Sequence, residues 1–367
     1  MNLQFFMPTR IIMGEDCILK NADALYKLGK KALIVTGSKS AKINGSFSDV
    51  TNTLDVNGQE YAVFDKVMAN PTIDCVYEGA AYAKKENADF IIAIGGGSPM
   101  DAAKAIALLA CQDIPRENLF SGEYEAKVLP MAFIPTTAGT GSEVTQYSIL
   151  TNDAARTKTT LAAPFLFPDV SFLDSKYMEA LSKVTTINTA IDALSHSVES
   201  FLSVRSNTLT EVLALESIGI IVKQLENLKN FTLTREDRSQ LLYASTLGGM
   251  VIAHTGTTAV HSMGYSLTYF KAIDHGRANG LLLTEFMKLV EKLRPDKIKT
   301  LLVKMGYTSL LELESIIFEL LGDTESITVE ELESYSDIAI KAKNIPNGIV
   351  APTREELLNI YRAVFKV

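Results

Sequence analysis

The sequence has little of what a membrane, nucleic-acid or secreted protein needs. Acidic residues outnumber basic ones by 43 to 35, which argues against nucleic acid as the main partner. No basic run or basic amphipathic helix suits a membrane surface, and the most apolar stretch, residues 102–111, is too short to span a bilayer. The N-terminus lacks the charged and apolar regions of a signal peptide. Cys17, Cys75 and Cys111 are odd in number, widely spaced and outside any CxxC motif. We therefore expect reduced thiols in a cytoplasmic protein.

The first half of the chain alternates between strand-like and helix-like segments. This alternation predicts a mostly parallel sheet with flanking helices. The opening segment LQFFMPTRIIMG predicts a small antiparallel addition of two short strands that are broken at Pro8. The predicted strands of the sheet are residues 32–37, 60–65, 89–97, 129–137 and 170–174, and the helices between them include 73–88 and 99–110.

The second half of the chain is helical in character. Capping-box patterns that begin at Thr328 and Thr353 mark two helix starts. We therefore expect an α/β domain over residues 1–180 and an all-helical domain over residues 181–367, and ligand sites favour the cleft between two such domains. The periodic segments are residues 186–203, 208–226, 235–254, 280–293, 297–305 and 309–321.

A glycine-rich turn follows the strand FIIAI and precedes a helix. Gly95, Gly96 and Gly97 would let the backbone approach a diphosphate, whose charge a helix N-terminus favours. Ser98 is expected as the N-cap of this helix, with Asp101 at its third position. Because GGGS is not the GxGxxG fingerprint, the segment alone also permits a plain strand-to-helix turn.

A second polar loop, IPTTAGTGSEVT, follows the strand at residues 129–137. Its hydroxyl groups can donate to a phosphate or to a nicotinamide carboxamide, although a polar surface loop is an equal alternative. Two such loops at one edge of a sheet favour nucleotide binding, because open α/β sheets bind ligands there. The hydroxyl-bearing residues are Thr136, Thr137, Thr140 and Ser142.

Three of the four histidines form a candidate cluster with one helical carboxylate in the helical half. Asp192 and His196 are four residues apart and therefore lie on one helix face, while His261 and His275 follow later. Three imidazoles and one carboxylate suit a divalent transition metal with an open position. The spacing alone leaves a simple hydrogen-bonded Asp–His pair as an alternative.

Five motifs occur in order along nearly the whole chain: GGGSPMD, PTTAGTGSEVT, DALSHSVES, HSMGYSL and HGRANG. Together they resemble the iron-containing (group III) alcohol dehydrogenase family. The resemblance implies a dinucleotide-binding α/β domain and a helical domain that holds one Fe²⁺, with Zn²⁺ as an alternative ion. It places the metal ligands at Asp192, His196, His261 and His275. It places the cofactor loops at residues 95–98 and 136–140, with Asn70 and Lys158 nearby.

The sequence departs from the family pattern at Tyr265. Many members carry a histidine there, four residues after the third ligand, and that histidine contacts substrate or relays protons. His254 is the one histidine without a ligand role, so it is a candidate substitute as a proton relay. A helix histidine with satisfied hydrogen bonds is the alternative.

The resemblance implies hydride transfer between a nicotinamide cofactor and a small alcohol or aldehyde. We expect a short or medium-chain primary alcohol or diol as the substrate. A zinc-dependent, glycerol dehydrogenase-like polyol oxidoreductase is the main alternative. A dehydroquinate synthase-like lyase is less favoured, because the ligand-bearing segments are apolar and hydroxylic rather than basic.

Two further expectations concern the cofactor and the assembly. NAD-preferring relatives tend to carry aspartate at the position of Gly37, whose charge would repel a 2′-phosphate. Here the stretch GSKSAK offers Gly37, Ser38 and Ser40 with two lysines, which predicts a preference for NADP(H) over NAD(H) unless the stretch is only a solvated loop. The apolar N-terminal strands predict a homodimer in which they pair across the interface.

Overall fold

The computed structural model describes residues 3–367 of the chain. They form two compact units: Met7–Leu181, and Ser182–Val367 together with the N-terminal segment up to Phe6. Among the described residues, no helix has both the length and the apolar character needed to cross a membrane.

The α/β unit contains eight strands within the described residues. They are β1 (Arg10–Met13), β2 (Lys31–Thr36), β3 (Glu60–Phe64), β4 (Phe90–Gly95), β5 (Met131–Pro135), β6 (Tyr147–Asn152), β7 (Thr157–Ala162) and β8 (Val170–Leu173). Six of them form a sheet in the order β1-β8-β5-β4-β2-β3, in which every neighbouring pair is parallel. Every residue of β4 and β5 is buried, as expected for strands that are covered on both faces. A separate antiparallel pair joins β6 to β7.

Helices cover both faces of this sheet. Alternate residues of a strand point to opposite faces, so Leu33 and Val35 of β2 join one core while Ala32 and Ile34 join the other. The expected doubly covered parallel sheet is confirmed. The helices of the unit are α1 (Cys17–Lys20), α2 (Ala22–Tyr26), α3 (Ser40–Ile43), α4 (Ser46–Asn57), α5 (Ile73–Glu86) and α6 (Gly97–Cys111).

The second unit is built from ten helices within the described residues. Thr328 and Thr353 each begin a helix with a complete capping box, as the sequence predicts. Residues 190–201 of α7 are all buried, so the polar side chains on this helix must find partners inside the unit. The helices are α7 (Lys183–Phe201), α8 (Thr208–Lys223), α9 (Leu225–Asn230), α10 (Arg235–Thr255), α11 (Ala259–Lys271), α12 (His275–Leu293), α13 (Pro295–Met305), α14 (Leu310–Leu321), α15 (Val329–Ala339) and α16 (Arg354–Phe365).

The N-terminal prediction is wrong. Within residues 3–14, only Arg10–Met13 forms a strand, and it pairs in parallel with Val170–Leu173 at the edge of the main sheet. Residues 3–9 are not in a strand. A parallel partner about 160 positions away leaves no local pattern in the sequence, because parallel pairing needs no adjoining turn.

The β6–β7 hairpin is an element that the sequence analysis missed. Its turn contains DAAR rather than Asn-Gly or Asp-Gly, and Arg156 takes the left-handed conformation with φ of 51°. The usual glycine signal for a hairpin is therefore absent.

Candidate metal centre and cofactor loops

Close packing of α12 against α7 places the first histidine of α12 beside the carboxylate of α7. A Cβ atom at Gly276 would lie 1.9 Å from the backbone oxygen of Asn188, so only glycine permits this approach. The Asn188 Nδ2 also donates to Asp274 Oδ2 at 2.8 Å. These contacts hold His275, the first residue of α12, near Asp192, which lies one turn along α7 from Asn188.

Three of the four sequence-predicted metal ligands meet in one cluster, in which Asp192 and His261 are buried and His275 is half-buried. Asp192, His261 and His275 each offer one ligand atom, and these atoms lie within 4.8 Å of one another. The Asp192 Oδ1 atom is 3.8 Å from Nε2 of His261 and 3.9 Å from Nε2 of His275. The fourth residue, His196, lies next to this group with its ring stacked on that of His261 at 4.6 Å between centroids.

The charge state of the cluster suits a cation. Burial raises the pKa of the Asp192 carboxyl, but the imidazoles of His196, His275 and His261 outweigh that effect and hold the pKa below its ordinary value. Asp192 therefore carries its negative charge, which can offset the charge of a bound ion.

The side chain of Asn279 faces the space that the three ligand atoms surround. Its Nδ2 donates to Asp192 Oδ1 at 3.0 Å and lies 3.1 and 3.2 Å from Nε2 of His261 and His275. A Cβ at Gly264 would lie 2.1 Å from Asn279 Oδ1, so the amide is tightly enclosed. The lone pairs of one carboxylate oxygen and two imidazole nitrogens thus converge on the amide group of Asn279. This donor set of one carboxylate and two imidazoles fits a divalent ion such as Fe²⁺ or Zn²⁺.

Glu199, which lies behind His261, is a residue of the site that the sequence pattern did not indicate. Its Oε2 is hydrogen-bonded to Nδ1 of His261, and its Oε1 accepts from Thr258 and Val260 backbone N–H groups at 2.8 and 3.1 Å. The residue is completely buried on α7. The sequence signal for this residue is a glutamate inside the DALSHSVES stretch, because a charged side chain among buried neighbours requires a partner.

Tyr265 adjoins the cluster. Its ring stacks on that of His275 at 5.6 Å between centroids and meets the ring of His261 edge-on at 6.5 Å. Tyr265 is one helical turn beyond His261 on α11. Tyr265, the position at which the sequence departs from the family pattern, is therefore next to the candidate metal ligands.

His254 is held by the backbone at both ring nitrogens. Its Nδ1 lies 2.8 Å from the Met250 oxygen, and its Nε2 accepts from the Phe6 N–H at 2.8 Å. The ring also stacks on Phe5 at 4.1 Å between centroids. This is the arrangement of a structural histidine, which was the alternative to a proton relay.

The glycine turn differs in detail from its prediction. Helix α6 begins at Gly97 with Gly96 as the N-cap, so the expectation that Ser98 caps this helix, with Asp101 at its third position, is wrong. No side chain caps the helix within the described residues, and its first turn contains no acidic residue. Its first N–H groups are therefore suited to an anionic ligand, as in many phosphate sites.

The two predicted cofactor loops pack against each other at the ends of β4 and β5. A Cβ at Gly96 would lie 3.0 Å from Thr137 Oγ1, and a Cβ at Gly97 would lie 2.7 Å from Thr140 Cγ2. The Thr136 N–H also donates to the Gly95 oxygen at 2.8 Å. Glycine is therefore required here for close contact between the loops, and the structure brings the two segments to one edge of the sheet.

Asp101 and Ser142 contact each other and a buried lysine. The Ser142 hydroxyl donates to Asp101 Oδ1 at 2.6 Å, and Asp101 Oδ2 accepts from the Ile149 N–H at 3.1 Å. Lys104, which the sequence analysis missed, donates to the Ser142 and Tyr147 backbone oxygens, each at 2.8 Å. Burial lowers the pKa of Lys104 to about 8. These groups join α6 to the segment that follows the second loop.

Asn70 and Lys158 lie along the same part of the α/β unit. Asn70 has a φ of 57°, its N–H donates to Ser98 Oγ at 3.2 Å, and its oxygen accepts from Thr151 Oγ1 at 3.0 Å. Lys158 is directly opposite Thr151 in the β6–β7 pair. Asn70 thus contacts the residue next to the glycine turn, and Lys158 pairs with the strand residue that bonds to Asn70.

The stretch predicted to recognise a 2′-phosphate follows β2. Gly37 and Ser38 come directly after this strand, and Ser40 is the first residue of α3. Lys39 is exposed, whereas Lys42 forms an ion pair with Asp65 at 2.8 Å. One of the two lysines in this stretch is therefore partly neutralised by a carboxylate that follows β3.

Comparisons with known proteins agree with this architecture. The family model for iron-containing alcohol dehydrogenase matches residues 8–175, and the model for the C-terminal region of that family matches residues 186–365. The chain is 32% identical over 347 residues to lactaldehyde reductase of Escherichia coli (93% of this chain and 86% of that protein). It is 32% identical over 309 residues to 1,3-propanediol dehydrogenase of Klebsiella pneumoniae (83% of this chain and 78% of that protein). A crystal structure of an iron-containing alcohol dehydrogenase from Thermotoga maritima aligns with a TM-score of 0.92 and 40% identity over 99% of each chain.

Proposed function

Because the chain belongs to the iron-containing alcohol dehydrogenase family, we propose that its clustered ligands hold one catalytic metal ion for alcohol and aldehyde chemistry. The observation that supports this metal site is that Asp192 Oδ1 and the Nε2 atoms of His261 and His275 converge on one small space. His196 completes the proposed ligand set from its position beside His261. Fe²⁺ is the proposed ion, and Zn²⁺ suits the same donors.

The protein's own residues bind and orient the reactants. When bound, the cation supplies Lewis-acid chemistry, since it favours loss of the alcohol's proton and polarises the aldehyde carbonyl in reverse. The nicotinamide supplies the hydride acceptor or donor. Asp192 provides the negative charge of the site, and Tyr265 packs on His275 and thereby fixes the orientation of that ring. The glycine turn at residues 95–97 presents the N–H groups of α6 to the diphosphate.

We propose a short or medium-chain primary alcohol or diol, or its aldehyde, as the substrate. The relatives named for 1,3-propanediol and lactaldehyde support this size class, because both are three-carbon molecules that carry hydroxyl groups. A zinc-dependent, glycerol dehydrogenase-like activity is the second candidate, since the same donor set binds zinc.

NADP(H) is the proposed cofactor. The stretch after β2 contains no carboxylate from Gly37 to Lys42, and Ser38 and Ser40 offer hydroxyl donors. Lys39 is the lysine available for a 2′-phosphate, because Lys42 already pairs with Asp65. Loss of a repulsive charge and gain of one charge-assisted hydrogen bond would favour NADP by about tenfold or more in kcat/KM.

We also propose a homodimer in which the edge strand β1 pairs across the interface. Arg10–Met13 is the terminal strand of the sheet, with β8 on its one paired side, and an open edge of this kind is a template for pairing. Light scattering at micromolar concentration tests this, and a monomeric mass would contradict it. A reducing compartment is the proposed location, since Cys17, Cys75 and Cys111 are all free thiols.

The test of function begins with anaerobic purification and metal analysis. The enzyme is then reconstituted separately with Fe²⁺ and Zn²⁺ and assayed with 1,3-propanediol, simple primary alcohols, lactaldehyde and glycerol, each with NADP(H) and NAD(H). We expect metal-dependent turnover of the small alcohols with a preference for NADP(H). Turnover confined to glycerol with zinc would favour the second candidate, and full activity after complete metal removal would contradict the proposed site.

A further inference from the structure

The Glu199 carboxylate is a buried anion with two separate sets of partners. Its Oε1 accepts from the Thr258 hydroxyl at 2.6 Å and from the N–H groups of Thr258, Val260 and His261 at 2.8, 3.1 and 3.4 Å. Its Oε2 is hydrogen-bonded to Nδ1 of His261. Oε1 therefore hydrogen-bonds to the beginning of α11, and Oε2 hydrogen-bonds to the imidazole of His261.

The hydrogen-bond geometry of Glu199 is that of a carboxylate. Its Oε1 accepts from the backbone N–H groups at the beginning of α11, where the positive end of the helix dipole favours an anion. A carboxylate oxygen only accepts hydrogen bonds, so Oε2 accepts from Nδ1 of His261.

The opposite side of the imidazole gives the same assignment. Asn279 Nδ2 donates towards His261 Nε2 at 3.1 Å, so Nε2 presents its lone pair. A neutral imidazole has one N–H and one lone pair. With the proton at Nδ1, the lone pair of Nε2 faces the space that Asp192 and His275 share.

We propose that Glu199 is a positioning residue that selects the Nδ1–H tautomer of His261 and aims Nε2 at the metal. This inference rests on the proposed metal site. Carboxylates that orient ligand histidines commonly contribute about 10- to 100-fold to metal affinity. Capping of α11 is a separate role of the same side chain, carried by the other oxygen.

The variant Glu199→Gln separates the two roles. The glutamine oxygen can still accept from the N–H groups of α11, but its amide nitrogen can only donate to His261. His261 must then accept at Nδ1 and carry its proton on Nε2, where a lone pair is needed for the metal. The matched control is Glu216→Gln, which removes the charge of an exposed glutamate that pairs with Lys304 at 3.1 Å in the same unit.

Three measurements test the proposal on the full chain. Zinc affinity is measured by competition with a chelator, the tautomer of the metal-free protein by imidazole ¹⁵N NMR, and folding by thermal unfolding of the metal-free protein. The chain has only four histidines, which keeps the ring signals assignable. We expect Glu199→Gln to weaken Zn²⁺ binding about 10- to 100-fold and to move the His261 proton from Nδ1 to Nε2. Glu216→Gln should leave both unchanged.

Wild-type affinity and an unchanged tautomer in Glu199→Gln would overturn the proposal. If that variant does not fold, Glu199→Asp decides the question, because its shorter carboxylate keeps the acceptor and should retain the Nδ1–H tautomer with an intermediate Zn²⁺ affinity. Loss of the Nδ1–H tautomer in folded Glu199→Asp, or affinity equal to the wild type with the contact to His261 lost, would contradict the proposal. Absence of stoichiometric Zn²⁺ in the wild type would instead refute the metal site itself, so the two failures are distinguishable.

Discussion

Replacement of Gly276 by alanine should damage the metal site without touching any ligand. The added Cβ would lie 1.9 Å from the Asn188 oxygen, 2.7 Å from the Asn188 carbonyl carbon and 3.0 Å from Asp192 Cβ. Two of these atoms are backbone, so no side-chain rotation relieves the clash. Restoring an ordinary contact requires α7 and α12 to separate by about 1.5 Å at this point.

A separation of this size exceeds what a metal site tolerates. Asp192 Oδ1 and His275 Nε2 are 3.9 Å apart, and they must reach one ion from the two helices that would move. The side chains of a catalytic or binding site must lie within about 0.5 Å of their productive positions. A displacement of about 1 Å can reduce the rate of catalysis about 100-fold. We expect a similar loss of metal affinity in Gly276→Ala, with a stability loss of about 1–3 kcal/mol from overpacking.

Gly219→Ala is the matched control because it also adds one methyl group to a helix of the same unit. Its Cβ would meet Lys304 Cε at 2.4 Å, but this is the far end of a flexible, partly exposed side chain that can move aside. Alanine is the better helix former by up to about 1 kcal/mol. The assay measures Zn²⁺ per chain after dialysis and the free energy of unfolding in denaturant. Stoichiometric metal and unchanged stability in Gly276→Ala would refute the reasoning.

Four further outcomes are expected. His261→Ala should lose both stoichiometric metal and turnover, and retention of both by metal analysis and kinetics would show that the ligand assignment is wrong. Gly37→Asp should shift the kcat/KM ratio towards NAD by about tenfold with metal content unchanged, since its Cβ would lie at an acceptable 3.4 Å from the Val67 oxygen. Equal or higher efficiency of the wild type with NAD would contradict the proposed preference. The Fe²⁺ enzyme should lose activity in air and regain it with added Fe²⁺, and recovery with dithiothreitol alone would indicate thiol oxidation instead. Lys104→Met should leave the Ser142 and Tyr147 oxygens without their donor, lower stability by about 1–3 kcal/mol and raise the KM for the cofactor. An unchanged denaturation midpoint would contradict this role of Lys104.

The sequence predicts the candidate ligands of the site better than it predicts the residues that hydrogen-bond to those ligands. Asp192 and His196 share a helix face, and the ordered motifs add His261 and His275, so the sequence alone indicates the candidate ligands. Glu199 and Asn279 were not found, because their partners are 62 and 87 positions away in the sequence. A buried polar residue signals that a partner exists, but only the tertiary packing shows which one.

In the fold, too, the features that depend on residues far apart in the sequence were not predictable. The parallel sheet with flanking helices was predictable from alternating patterns, since each buried strand is a local apolar run. The place of Arg10–Met13 was not, because strand direction and neighbour depend on Val170–Leu173. The start of α6 was also missed, because Ser98 is a favourable capping residue locally. The helix begins one residue earlier, at Gly97, which packs closely on Thr140.

The hydrogen bond between the Phe6 N–H and His254 affects the order in which parts of the chain can fold during synthesis. Its two partners are 248 positions apart, so at a synthesis rate of about 5–20 residues per second the ribosome makes His254 about 10–50 s after Phe6. Residues 7–181 are complete well before α10 exists, and they form a compact unit of their own. Residues 3–6 can therefore contact α10 only after the whole of residues 7–181 has been synthesised.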